Sequence, residues 1–168
     1  MSDANTALDA AIGQIEALNR AGQAEEALAA ARALVERNPN NPRAQFAYGG
    51  VLDAQGREAE AVAPYQRARE LGLAGDDLPR LYVQYGSTLR NLGKAWDAAH
   101  LLEEGRSHFP NYAPIRVFHA LAMVSAGCAD QAVVELLDVI LTHADGLVLD
   151  GYEPALSEYT EALRPPSR

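Results

Sequence analysis

The 168-residue sequence has a single cysteine, Cys128, so no internal disulfide can staple the chain, and no Cys/His set with zinc spacing exists. Basic residues are few: 14 Lys and Arg stand against 23 Asp and Glu, a net charge of −9. That balance excludes the dense basic footprint of non-specific nucleic-acid binding and disfavours an anionic membrane surface. No apolar run approaches the roughly 20 residues of a membrane span. The longest greasy stretch, Ala132–Leu141, is broken by Glu135 and Asp138. The opening Met-Ser-Asp-Ala-Asn lacks the apolar core of a secretory signal, and a reducing cytoplasm is the expected compartment. β-Branched residues are also scarce, with 18 Val, Ile and Thr together against 32 Ala and 21 Leu. Such a composition leans all-α, and a 48% hydrophobic content supports a packed core.

What is present is a repeat. Gly22, Gly56, Gly93 and Gly127 are separated by 34, 37 and 34 residues. Five residues after each stands an alanine: Ala27, Ala61, Ala98 and Ala132. Four before each stands Leu18, Leu52, Leu89 or Met123, and seven before stands Ile15, Gly49, Gly86 or Ala120. Pro39 and Pro110 fall seventeen after two of the glycines. The glycine can end a helix in a left-handed turn at no Cβ cost. The flanking segments carry apolar residues at helical spacing. Each unit therefore reads as a helix, a tight turn and an antiparallel second helix, with small residues where the backbones approach.

These columns resemble the tetratricopeptide repeat family, whose unit is a 34-residue helix–turn–helix. The run Leu81-Tyr82-Val83-Gln84-Tyr85-Gly86 followed by Leu89, Gly93, Ala98, Leu102 and Pro110 carries it most fully. Tyr48-Gly49, Leu52, Gly56, Ala61, Tyr65 and Ala68 carry it nearly as well. Gly86-Ser-Thr-Leu-Arg-Asn-Leu-Gly93 also resembles small stand-alone bacterial members. The resemblance implies an all-α, right-handed α-solenoid of four repeats in one domain. The repeats fall at about 8–41, 42–78, 79–112 and 113–144. A capping helix is expected over about 152–164, with Tyr152, Leu156, Tyr159 and Leu163 as one apolar stripe. Ser2 or Asp3 should cap a first helix that turns Leu8, Ile12 and Ile15 inward. Three extra residues fall around 73–78, where Asp76-Asp77 before Pro79 suits a helix start. Pro64 should kink or shorten the helix that holds it.

No catalytic motif, phosphate loop or metal signature is present, so neither enzyme activity nor a cofactor nor a metal is expected. His119 and Met123 share a helix face, but two such ligands do not make a metal site. Cys128 reads as a small turn residue. Tyr48, Tyr65, Tyr82 and Tyr85 read as core, and Trp96 as partly exposed.

In the family that the chain resembles, first helices line a concave face that binds protein segments. Carried onto this sequence, that face holds Arg43 and Phe46, then Arg80, Val83, Gln84, Ser87, Arg90 and Asn91, then Val117, Phe118 and Leu121. The arginines could fork onto carboxylates, and the apolar strip could supply affinity. The strip is open to two readings, a groove or a surface covered by the acidic tail. The clamp that captures C-terminal carboxylates in some members is absent, because its positions hold Ile12, Phe46, Val83, Glu16 and Gly50. Arg106 is expected on the convex side, exposed. The chain thus reads as a non-catalytic interaction module or scaffold for a protein or peptide, with neither nucleic acid nor membrane as partner. The alternative is a self-associating subunit, a homodimer pairing through the apolar face of repeat four.

Overall fold

The structure is a computed structural model that describes residues 2–143 and, in the tail, Pro154, Ser157, Glu158, Thr160 and Glu161. Among the described residues there are eight α-helices and no strand. They are α1 (Ser2–Arg20), α2 (Ala24–Arg37), α3 (Pro42–Ala54), α4 (Glu58–Glu70), α5 (Asp77–Asn91), α6 (Ala95–His108), α7 (Ala113–Ser125) and α8 (Ala129–His143). The five described tail residues are helical. The stripe expected at Tyr152, Leu156, Tyr159 and Leu163 lies outside the described residues. The chain forms two compact units, Met1–Thr88 and Leu89–Arg168, and α5 runs through the boundary.

One turn chemistry recurs four times. Gly22, Gly56, Gly93 and Gly127 have φ of 72°, 69°, 75° and 83°, the left-handed region where a Cβ is strained. The next residue donates its N–H to a carbonyl five positions back: Gln23 to Leu18, Arg57 to Leu52, Lys94 to Leu89 and Cys128 to Met123, at 2.9–3.0 Å. These bonds satisfy carbonyls that a helix end leaves unpaired. That same residue's carbonyl accepts the first bond of the following helix, from Ala27, Ala61, Ala98 and Ala132. All four alanines have no exposed surface. Three columns of the repeat, the residue four before the glycine, the glycine itself and the alanine five after it, are thus one hydrogen-bonded corner.

In the first unit α3 begins with Pro42 at its first position, and the Asn41 side chain accepts from the N–H groups of Arg43 and Ala44 at 3.0 and 3.2 Å. Its small residue Gly49 lets α4 approach, and the Tyr65 ring fills the space beside it. Tyr65 is fully buried, with its ring centroid 6.0 Å from Phe46 and 5.8 Å from Tyr85. Pro64 does not break α4, which continues six residues past it to Glu70. The proline is buried, so its ring contributes packing where its missing N–H forfeits one helical bond. The extra residues before α5 close with a second glycine cap: Gly72 has φ 78°, and Leu73, buried, donates to the Ala68 carbonyl.

The second unit packs α7 against α6 and α8 around Leu102, Ile115, Ala120, Ala122 and Ala132. Its polar centre is Glu135, which is buried and accepts from Arg116 at 2.6 Å and from Arg106 at 3.3 Å. Arg106 also forks onto Glu103, at 2.7 and 2.8 Å. Arg106, expected from the sequence to be exposed, is instead a half-buried bridge between α6 and α8. His119 joins this group, its Nε2 3.8 Å from Glu103, and burial lowers its pKa against the pull of Glu135 and Glu103.

Candidate partner-binding site

A cleft of about 310 Å³ opens in the first unit. Side chains from three helices line it. Ile12, Ile15, Glu16 and Asn19 come from α1. Arg43, Phe46, Ala47, Gly50, Val51, Asp53 and Ala54 come from α3, and Asp77, Arg80 and Gln84 from α5. Apolar residues form much of the wall and charges sit around it. Gly50 forms part of this wall: a Cβ there would lie 3.5 Å from Gln84 Oε1, an ordinary contact.

The charges pair within the chain. Arg43 holds Asp9 through Nη1 and Asp77 through Nε, the latter at 3.1 Å. Asp9 first, then Asp77, raise its pKa, while burial opposes them. Arg80 lies 3.2 Å from Asp77 and 3.6 Å from Glu16, and its guanidinium sits 5.8 Å above the Phe46 ring centre. Asp9, Arg43 and Asp77 are spaced 34 residues apart, one repeat length each. Both arginines read from the sequence as open donors are already engaged.

One carboxylate in the cleft is different. Asp53 accepts from Thr88 Oγ1 at 2.8 Å, and the Tyr65 hydroxyl also bears on it. Tyr65 in turn lies 3.1 Å from Gln84 Oε1. Burial raises the pKa of Asp53, the Thr88 bond lowers it, Glu58 raises it and Tyr65 lowers it, with a net upward shift. Burial and the Asp53 charge push the Tyr65 hydroxyl upward as well, so it stays a neutral donor. Among the described residues no lysine or arginine pairs with Asp53.

The structure thus brings Arg43, Phe46, Arg80 and Gln84 together around one cleft. Val83 and Ser87 are half-buried on α5 and do not line it. Arg90, Asn91, Val117, Phe118 and Leu121 belong to the second unit. There Arg90 bonds Asn91 at 3.0 Å through Nη2, Val117 and Phe118 are half-buried, and Leu121 is 39% exposed. Ile15, Asp77 and Val51 line the cleft without having been singled out as groove positions. The recurring 34-residue spacing of opposite charges, at 9, 43 and 77, was the available signal for Asp77.

The residues matched by a family model described as tetratrico peptide repeat run from 42 to 163, and a second tetratricopeptide repeat model matches 8–50. The chain belongs to the tetratricopeptide repeat family. Among solved structures, it is similar to YrrB, described as a tetratricopeptide repeat protein with an unusual peptide-binding site. That likeness has a TM-score of 0.66 at 21% identity, covering 91% of this chain and 79% of that one. It is also similar to MamA from Desulfovibrio magneticus, with a TM-score of 0.67 at 17% identity over 93% and 92% of the two chains. A third likeness is to pilF of Pseudomonas aeruginosa, with a TM-score of 0.66 at 15% identity over 97% and 79%. No curated protein matches the sequence. At these identities the likenesses establish the helical-repeat fold alone; membership of the tetratricopeptide repeat family implies a role in protein interaction or scaffolding. Among the described residues, no helix is long and apolar enough to cross a membrane, and no group of three His, Cys, Asp or Glu could hold a metal ion.

Proposed function

We propose that this tetratricopeptide repeat chain is a non-catalytic interaction module that binds a peptide or protein segment in the cleft of its first unit. The observation that carries this reading is the cleft itself. Its walls combine Ile12, Phe46, Val51 and the bare backbone of Gly50 with polar groups at Gln84, Asn19 and Asp53. Small concave sites of mostly apolar lining with a few placed polar groups are where ligands bind. Amide chemical-shift mapping of the whole chain with a peptide selected against it is the test. Perturbations on α1, α3 and α5 are expected, and perturbations confined to α7 and α8 would overturn the reading.

A second reading rests on a separate surface. Leu121 and Val124 on α7 are 39% and 53% exposed, which suits a second copy of the chain. Sedimentation of the wild type against Leu121→Asp decides it: a dimer lost in the variant supports self-association, and a monomer in both rejects it.

A further inference from the structure

We propose that the cleft of the first unit selects a cationic segment, a lysine or arginine beside an apolar residue. The cation sits at Asp53 and the apolar neighbour on Phe46 and Ile12. This rests on the reading of the cleft as a binding site and adds the chemistry of what binds.

Three observations carry it. The first is charge balance. Glu16, Asp53 and Asp77 line the cleft against Arg43 and Arg80, and Asp9 adds a fourth carboxylate on Arg43. Both guanidiniums are occupied, so an incoming carboxylate would have to displace an existing ion pair, whereas an incoming cation displaces nothing. The second is Asp53. It is half-buried, held in place by Thr88, and without a cation among the described residues. Its raised pKa has the same origin, because a carboxylate withdrawn from water without a counter-charge favours its proton. The third is its position. Asp53 is the penultimate residue of α3, and Asn19 lies in the last turn of α1. The aligned peptide dipoles make a helix C-terminus electronegative even where its carbonyls are capped, which favours a cation there and disfavours a bare acid. The apolar half of the ligand follows from Phe46 and Ile12, which share the wall with Asp53.

The test uses a displayed random peptide library panned on the full chain and on Gly50→Leu, whose side chain plugs the cleft. Lysine and arginine next to apolar residues should be enriched on the wild type and absent from the plugged variant. A synthetic peptide of that composition, followed by fluorescence anisotropy, should bind Asp53→Asn at least about tenfold more weakly, the loss expected for a hydrogen bond to a charged group. Its affinity should fall with added salt, because a partly exposed ion pair is screened. Binders that are acidic, or cationic ones indifferent to Asp53→Asn, overturn the cationic preference while leaving the cleft as the binding site if Gly50→Leu still abolishes capture. No binders, or binders that ignore Gly50→Leu, overturn the cleft reading itself.

Discussion

Gly49 exists for Tyr65: a Cβ built on Gly49 would stand 2.7 and 2.8 Å from two carbons of the Tyr65 ring. The ring is fully buried and also meets Phe46 and Tyr85, so it has little room to withdraw. The adjacent Gly50 has no such constraint, since its Cβ would meet Gln84 Oε1 at 3.5 Å.

The two glycines therefore predict opposite signs. Gly49→Ala should destabilise the first unit by about 1–3 kcal/mol from overpacking, partly offset by the better helix propensity of alanine. Gly50→Ala should stabilise it by about 0.5–1 kcal/mol. Urea denaturation of both variants checks this, and equal effects would contradict the close approach of α3 and α4.

Ala98 has no exposed surface and donates the first bond of its corner to Lys94. Ala98→Leu should cost about 1–3 kcal/mol, because the added volume has nowhere to go in a packed interior. An unchanged melting temperature would refute the packed corner.

Glu135 is the shared acceptor of Arg106 and Arg116. Glu135→Ala should destabilise the second unit by about 1–3 kcal/mol, since it leaves the largely buried guanidinium of Arg116 with only the longer 3.8 Å contact to Asp138. Arg106→Ala should also destabilise, but less, because Arg116 still holds the carboxylate and Arg106 is more exposed. Thermal denaturation with circular dichroism reads the order of the two.

Asp53 gives a pH dependence of definite sign. Its pKa is raised in the folded chain, so the folded state binds this proton more tightly than the unfolded state does. Its contribution to stability is present below the ordinary aspartate value of 3.8 and is lost as pH rises through the folded pKa. Asp53→Asn keeps an acceptor for Thr88 but cannot ionise. The stability of the variant relative to wild type should therefore grow as pH rises from that carboxylate range toward neutrality. A difference that shrinks over the same interval would show that a counter-charge compensates Asp53 in the fold.

The corner chemistry was legible in the sequence because it is local. A left-handed glycine, the carbonyl it leaves to be capped and the alanine that starts the next helix all lie within ten residues, so Gly22, Gly56, Gly93 and Gly127 mark four helix ends by themselves. The all-α class and the inward alanines follow from the same periodicity. That Pro64 sits inside α4 without ending it needed the packing, because its ring is buried and the helix continues to Glu70. The state of the charges needed tertiary structure. Composition names Arg43, Arg80 and Arg106 as cations but not their partners. Arg43 lies between acids 34 residues away on either side in sequence, and Arg106 reaches Glu135 29 residues on. Local sequence determines backbone turns through steric limits on φ and nearest-neighbour hydrogen bonds. Which carboxylate neutralises which guanidinium, and that Asp53 has no such partner among the described residues, is decided only when packing sets distances between distant segments, because charge interactions depend on separation and burial.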